Sequence, residues 1–271
     1  MKAAFKRALP APLWRLLGRS YDALLRLPEL PEASLHPWRR ASKNNLAMLR
    51  DTQTGKRCFI IGNGPSLRDL DLTQLKNEIT FGMNRIYLLF PELGFSTTYF
   101  VSINDLVIQQ FAADIRALPM PKFLAWRSHP HIQPTPDLSF LYTSYTGPKF
   151  SRNVGGRVWE GATVTYVALQ LAFHMGFEEV ILVGVDHNFV SSGDPNQTVT
   201  STGDDPNHFS PAYFGQGFKW QLPDLETSEI AYRMAKSVFE SAGRRVLDAT
   251  HNGKLTVFPK VDYDLLFCNE R

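Results

Sequence analysis

The sequence predicts an α/β fold, a doubly wound, mostly parallel Rossmann-like sheet preceded by a basic helical extension. Short apolar runs alternate with helical segments, which is typical of parallel sheets with both faces covered. Each strong run ends in polar residues, as at the ligand-binding edge of an open α/β sheet. With 271 residues, of which 44% are hydrophobic and 20% charged, the chain can bury one large core.

The N-terminal segment is expected to be separate from the Rossmann-like domain, with residues 1–54 forming the segment and 55–271 the domain. Residues 1–50 carry a net charge of +7, whereas the rest of the chain carries −4. Residues 12–27 place leucine and aromatic side chains at near-helical spacing among three arginines. This predicts a basic amphipathic helix, which either touches an anionic membrane surface or packs on protein, including a second copy in a homo-oligomer. The proline-containing stretch 28–54 is predicted to be an extended connector.

The most informative stretch is 58–67, where an apolar run ends in a glycine-rich turn. Gly62 and Gly64 are expected to permit positive φ angles and to expose backbone N–H groups to a phosphate at the N-terminus of a following helix. Asn63 and Ser66 add side chains suited to ligand contact. The alternative is that the glycines only make a tight turn. The spacing differs from the G-x-G-x-x-G pattern of dinucleotide-binding proteins, so NAD is disfavoured.

The remaining elements follow in order along the chain. Strands are predicted at 79–84, 97–103, 122–126, 179–185 and 245–248, and helices at 161–175 and 226–242. Residues 190–221 are rich in Gly, Ser, Asp, Asn and Pro, and this stretch is predicted to be a long lid or binding loop.

Several polar residues directly follow these strands. Asn63, Asn84, Asn104 and Asn188 are expected to donate amide hydrogen bonds to a phosphate, ribose or base, or else to act as turn residues. Asp186 either binds a ribose hydroxyl or Mg²⁺ or caps a turn, and His187 is expected to orient that turn.

One residue of the long loop is a candidate for acid–base chemistry. A histidine has an unperturbed pKa of about 6.5 and can accept a hydroxyl proton at neutral pH, so His208 is the candidate general base. The adjacent pair Asp204 and Asp205 is expected to be solvated.

Other classes of function are disfavoured. No run approaches the roughly 20 apolar residues of a membrane span, and no secretory signal is recognisable. Cys58 and Cys268 offer neither metal spacing nor a disulfide framework, which favours a cytoplasmic location, with peripheral contact at the inner face of a membrane through residues 12–27. The G-x-S-x-G and Walker motifs are absent. A net acidic domain disfavours nucleic acid as a partner.

The motifs themselves resemble a known family. The blocks GNGPSL at 62–67, MNR at 83–85, IND at 103–105 and the stretch 160–186 resemble the DUF115 (MptE-like) superfamily, as does the pattern that closes the chain. That superfamily includes 6-hydroxymethylpterin diphosphokinase-like proteins and motility accessory factors, and it is related to small bacterial sialyltransferases. The resemblance extends over residues 56–266.

The similarity to the sialyltransferases implies transfer of a CMP-activated nonulosonate to a glycan acceptor without a divalent metal. It implies that Asn63, Asn84 and Asn104 contact the nucleotide or phosphate, and that His208 deprotonates the acceptor. The cytidine would be held by Asp186 and by the turn of Gly161, Ala162 and Thr163. Where those enzymes have tyrosines that assist departure of the phosphate, this chain has His187 and Asn188, so Tyr213 is the candidate substitute.

The similarity to the pterin kinases implies another reaction. It implies ATP, Mg²⁺ and diphosphate transfer, with Asp105 or Asp186 as metal ligands. A third possibility is a nucleotide-binding module of a surface-glycan complex that performs no catalysis.

Overall fold

A computed structural model describes residues 20, 24, 29–145, 149–190 and 193–268 of the chain. The amphipathic helix predicted over residues 12–27 lies outside these residues, apart from Ser20 and Leu24. It therefore stays a prediction.

The core of the molecule is an eight-stranded sheet with strand order β10-β7-β1-β2-β3-β4-β5-β6, in which every neighbouring pair is parallel. This confirms the predicted fold class. A separate antiparallel pair, β8 and β9, lies within the long loop. The strands are β1 Arg57–Ile61, β2 Thr80–Met83, β3 Tyr99–Ser102, β4 Lys122–Ala125, β5 Leu138–Ser144, β6 Arg157–Trp159, β7 Glu179–Val183, β8 Thr198–Thr200, β9 Lys219–Gln221 and β10 Arg245–Asp248.

Helices cover the sheet and fill the connections. The helices are α1 Glu29–Leu35, α2 Pro37–Met48, α3 Phe90–Leu93, α4 Asp105–Gln110, α5 Ala112–Ala117, α6 Val164–Met175 and α7 Leu225–Ser241. Every residue of α6 from Thr165 onwards is buried, because this helix packs against one face of the sheet and against α7. Short 3₁₀ segments, including Pro65–Asp69 and Leu72–Asn77, contribute buried leucines to the other face.

The predicted extended connector over residues 28–54 is wrong, because α1 and α2 occupy most of it. Pro37 is the first residue of α2, where a missing N–H costs nothing, and His36 caps the helix by accepting from Trp38 N. Ser42 Oγ accepts from Phe140 N at 2.9 Å, which fixes α2 against β5. This helix therefore belongs to the same packed core as the sheet.

Two further expectations need correction. The glycine turn leads into the five-residue 3₁₀ segment Pro65–Asp69 instead of an α-helix. The five strands predicted after β1 are all present. The sheet also contains β5 and β6, which were not predicted.

The strand order creates a switch point beside β1. From β1 to β6 each strand is added on the same side, whereas β7 returns to the opposite side of β1. In open α/β sheets, ligands bind at the carboxyl ends of the strands that flank such a point. Here those ends lead into the turn beginning at Gly62 and into residues 184–188.

Candidate active site at the carboxyl edge of the sheet

A cavity of about 700 Å³ lies at this edge of the sheet. The segments after β1, β2, β3 and β7 line it, together with the turn before α6, the start of α7 and part of the long loop. The predicted site residues that line it are Gly62, Asn63, Gly64, Asn84, Asn104, Asp105, Ala162, Thr163, Asp186, Asn188 and His208. Three others, Ser66, Gly161 and Tyr213, do not line it.

The glycine turn, residues 62–67, does not expose the N–H groups expected of it. Gly62 N donates to Val183 O at 2.7 Å and Gly64 N donates to Gly184 O at 2.9 Å. Neither glycine has a positive φ. Glycine is required for another reason: a Cβ on Gly62 would lie 2.1 Å from Gly184 O, and one on Gly64 would lie 1.7 Å from Asp186 Oδ2. The turn therefore lets β1 and β7 approach each other closely.

Asp186 occupies the place at which an anion was expected. Its Oδ1 accepts from Ser66 N at 3.2 Å, and its Oδ2 accepts from Ser66 Oγ at 2.8 Å. Burial raises the pKa of the Asp186 carboxyl, although the hydrogen bonds from Ser66 oppose the shift. The carboxylate thus caps the 3₁₀ segment from across the sheet edge.

Three of the strand-end asparagines have structural partners. Asn84 has a φ of 51° and accepts from Ser102 Oγ at 2.9 Å. Asn104 caps α4 by accepting from Leu106 N at 2.9 Å. Asn63 Nδ2 donates to Met83 O at 3.1 Å, whereas its Oδ1 is buried and has no hydrogen-bond partner among the described residues. That oxygen is therefore an unsatisfied buried acceptor on a residue that lines the cavity.

The turn before α6 is tight and left-handed. Thr163 N donates to Glu160 O at 3.1 Å, and the two residues between them, Gly161 and Ala162, both have positive φ angles. A left-handed conformation costs a residue with a Cβ roughly 1–2 kcal/mol, so Ala162 is strained. Thr163 Oγ1 then caps the 12-residue helix α6 by accepting from Thr165 N at 3.3 Å.

His208 is held in the cavity wall by a buried carboxylate. Its Nδ1 lies 2.7 Å from Asp205 Oδ2, and its ring stacks on Tyr213 with centroids 3.9 Å apart. The Asp205 side chain is 5% exposed and also accepts from Asn207 N and Phe214 N. The expectation that Asp205 is solvated is therefore wrong. This arrangement orients the imidazole and leaves its Nε2 for other contacts.

The segment that carries His208 is anchored to the glycine turn and to the residues that follow β2. Phe209 N donates to Asn63 O at 2.9 Å, and Arg68 Nε donates to Phe209 O. Arg85 is buried and donates to the carbonyls of Ala212 and Tyr213. His208 therefore lies next to the turn, as a shared site would require.

Tyr213 is placed differently from what its suggested role needs. It is fully buried, and its hydroxyl oxygen accepts from Arg85 N at 3.2 Å. Burial raises its pKa, which keeps the phenol neutral. Tyr213 packs against the ring of His208 and has no exposed surface. The geometry therefore does not favour Tyr213 as the group that contacts a leaving phosphate.

A buried ionic network that sequence reasoning missed lies at the far side of the cavity. The guanidinium of Arg127 donates to Asp105, Glu160 and Ile103 O. Burial opposes its charge, but Glu160 and Asp105 outweigh this effect and raise the pKa of Arg127. Asp105 also accepts from Ser128 Oγ. Because the guanidinium already occupies Asp105, this carboxylate is a poor Mg²⁺ ligand.

Within the described part of the chain, no three His, Cys, Asp or Glu side chains form a group that could hold a metal ion. In the same residues, no helix has both the length and the apolar composition needed to cross a membrane.

An eight-stranded parallel sheet with a cavity at its switch point defines a Rossmann-like α/β protein. The chain belongs to the 6-hydroxymethylpterin diphosphokinase MptE-like family, whose model matches residues 34–192. This confirms the family expected from the sequence motifs.

Solved structures show more distant similarity. The MAf glycosyltransferase from Magnetospirillum magneticum AMB-1 is 15% identical with a TM-score of 0.47; the match covers 91% of this chain and 42% of that chain. The sialyltransferase CstII from Campylobacter jejuni, in complex with a substrate analogue, cytidine-5'-monophosphate, is 14% identical with a TM-score of 0.45; the match covers 78% of this chain and 87% of that chain. No match was found among curated protein sequences. Both TM-scores lie below 0.5, so neither similarity assigns a function to this chain.

Proposed function

We propose that this protein is a glycosyltransferase that moves a sugar from a nucleotide-activated donor to a hydroxyl group of a glycan acceptor. The observation that carries the proposal is the His208–Asp205 pair, which faces the cavity beside the glycine turn. The donor we propose is a CMP-activated nonulosonate, as the sequence resemblance implies. The acceptor would be presented at the inner face of a membrane, which residues 12–27 would contact.

His208 would act as the general base. Asp205 accepts from the Nδ1–H tautomer, so the lone pair of Nε2 is left to take the proton of the acceptor hydroxyl. The acceptor oxygen forms a bond to the anomeric carbon while the bond from that carbon to the phosphate oxygen breaks. The electron pair of the broken bond leaves on the phosphate. General-base catalysis of this kind contributes roughly 10²- to 10⁴-fold.

The nucleotide would lie between the ends of β1 and β7. We propose that the Oδ1 atom of Asn63, the amide of Asn84 and the turn of residues 161–163 provide its contacts, with Asn104, Asn188 and Asp186 at the periphery. The glycine turn shapes this wall through close packing, since Gly62 N bonds to the last residue of β7 and Gly64 N bonds to Gly184, directly after β7.

A Mg²⁺-dependent diphosphotransferase that uses ATP is the second candidate. The family favours it, and so does the charge of the cavity wall, where one arginine faces four carboxylates: Asp105, Glu160, Asp186 and Asp224. Each of these carboxylates already has protein partners, and Asp224 caps α7. A Mg²⁺ ion would have to be held by Asp186 together with the phosphates of the nucleotide. A non-catalytic nucleotide-binding module is the third candidate.

Thermal unfolding separates these candidates. It is measured with CMP, CDP, UDP, GDP, ATP and AMP, each with and without Mg²⁺. A ligand that binds only the folded state raises the melting temperature. We expect a shift with CMP that does not depend on Mg²⁺. A shift that appears only with ATP and Mg²⁺ would instead support the diphosphotransferase.

The His208→Gln variant tests the catalytic role. With CMP-N-acetylneuraminate as donor and a panel of saccharides as acceptors, we expect its turnover to fall about 10²-fold or more while the CMP-induced shift is retained. His131→Gln is the matched control, because His131 is exposed and does not line the cavity. Equal turnover of His208→Gln and wild type would remove His208 from the mechanism. CMP binding without any turnover of the wild type would support a binding module.

A further inference from the structure

The phosphate of a nucleotide donor needs a partner beyond the glycine turn, where the N–H groups of Gly62, Gly64 and Ser66 have protein acceptors. Among the described residues that line the cavity, the side chains that can carry a positive charge are Arg127, His187 and His208. Arg127 is bound by two carboxylates, and His208 is oriented by Asp205 for proton abstraction. His187 is the remaining candidate.

His187 belongs to a second histidine–carboxylate pair in the same cavity. It directly follows Asp186 and has a φ of 54°, so a strained backbone places its ring. The side chain is 7% exposed, and its Nε2 lies 3.3 Å from Glu229 Oε1 on α7. This contact orients the imidazole and leaves Nδ1 as the ring atom available to a ligand.

The N-terminus of α6 borders the same cavity and is the second feature that favours an anion. Two other helices also begin at the cavity, but an acidic residue stands at each start: Asp105 in the first turn of α4 and Asp224 at the cap of α7. The cap of α6 is the uncharged Thr163, and its first turn contains no acidic residue. The partial positive charge of this 12-residue helix is therefore not offset by a carboxylate of its own first turn.

Tyr232 contacts both His187 and the N-terminus of α6. The hydroxyl groups of Tyr232 and Thr163 are 3.4 Å apart, and the Tyr232 ring lies edge-on to His187 with centroids 6.1 Å apart. We propose that the phosphate of the nucleotide donor binds between the N-terminus of α6 and the imidazole of His187. This inference rests on the proposed function and assigns the leaving group of that reaction to a place in the cavity.

His187 then has a defined part in the transfer. As the bond between the anomeric carbon and the phosphate oxygen breaks, negative charge collects on the phosphate. The imidazolium form of His187 presents Nδ1–H to that phosphate while Glu229 accepts from Nε2–H, so the departing group is stabilised electrostatically. The acceptor proton goes to His208 at the same time. The proposed transfer balances without an oxidant, a metal or another co-reactant.

The first experiment measures the contribution of the phosphate to affinity by comparing the binding of CMP with that of cytidine. In wild-type protein we expect CMP to bind more tightly than cytidine, and in His187→Gln we expect this advantage to fall about tenfold or more, because a charge-assisted hydrogen bond is lost. Cytidine binding should not change. His131→Gln should behave as wild type.

The second experiment tests the helix N-terminus without removing its cap. Asp and Ser are both good N-caps, so Thr163→Asp and Thr163→Ser should keep melting temperatures near wild type in the absence of ligand. We expect Thr163→Asp to lose the advantage of CMP over cytidine through charge repulsion, and Thr163→Ser to retain it.

The outcomes separate this inference from the proposed function. If His187→Gln or Thr163→Asp binds CMP and cytidine as wild type does, the phosphate lies elsewhere even though the donor assignment survives. If only another nucleotide binds, the CMP assignment fails, and the same comparison of that monophosphate with its nucleoside decides the phosphate site. If no nucleotide binds, both proposals are wrong.

Discussion

The glycine turn and the segment 205–214 of the long loop border one cavity, but they use their hydrogen-bonding groups in opposite ways. In the turn, the N–H groups of Gly62, Gly64 and Ser66 all bond to residues on or just after β7. In the loop segment, Asp205 fixes His208 through one ring nitrogen and leaves the other to the cavity. A motif can therefore indicate where a chain bends, whereas the partners of its polar groups decide what it can bind.

The largest effect is expected from Gly62→Ala, which tests whether the turn serves packing. Its Cβ would lie 2.1 Å from Gly184 O and 2.6 Å from Gly184 C, and backbone atoms cannot move away as a flexible side chain can. We expect a loss of about 3 kcal/mol of unfolding free energy, or no folded protein. Urea unfolding measures the loss.

Gly203→Ala is the matched control from the long loop. It has a negative or extended φ and no atom within 4 Å of the added Cβ, so we expect a change within about 0.5 kcal/mol. If both variants unfold at the same urea concentration, the packing role of Gly62 is wrong.

The next effect concerns the loop segment. Asp205→Asn weakens the acceptor for His208 Nδ1–H, and we expect turnover to fall on the order of 10²-fold with little change in CMP binding. The neighbouring Asp204 is exposed, so Asp204→Asn should retain wild-type turnover. Assays of both variants beside their melting temperatures provide the comparison. Equal losses in the two variants would contradict a specific role for the His208–Asp205 pair.

The smallest effect concerns Asp186, the carboxylate that fills the glycine turn. Burial raises its pKa in the folded state, so its contribution to stability is complete at low pH and declines as the pH rises through the folded-state pKa. Asp186→Asn has no charge to bury. We expect this variant to melt slightly above wild type at pH 7, with the difference disappearing below about pH 4.

Melting curves of both proteins between about pH 3 and pH 8 test whether Asp186→Asn melts above wild type at pH 7 and whether the difference disappears at low pH. If the variant instead melts below wild type at pH 7, the charged carboxylate of Asp186 stabilises the turn, and the predicted sign is wrong.

Much of the sheet is predictable because buried parallel strands are continuous apolar runs. Cys58–Ile61 and Val180–Val183 are such runs, and β1 and β7 include them. β5 was missed because Ser139 and Thr143 interrupt its apolar pattern, although both are buried. β6 has only three residues. The prediction of an extended connector was wrong because Pro28, Pro31 and Pro37 indicated extended chain, whereas Pro31 lies within α1 and Pro37 is the first residue of α2.

The lining of the candidate site was predictable in part. His208 follows from its residue type and its place in a long loop, and the strand-end asparagines follow from sheet topology. Asp205 was missed because two adjacent acids in a loop are usually solvated; the i, i+3 spacing to His208 was the available signal. The pairing of His187 with Glu229 joins residues 42 positions apart, which no local pattern indicates.

The sequence by itself determined the parallel sheet, the polar residues at its carboxyl edge and the family, because burial pattern and motif spacing are local properties of the chain. Only the tertiary structure decided which polar groups are free. Ser66 and Asp186 are separated by 120 positions, yet their hydrogen bonds close the turn that the sequence predicted to be open. Hydrogen-bond partners at such separations are fixed only when the strands pack, and here they occupy N–H groups that the sequence predicted to bind a phosphate.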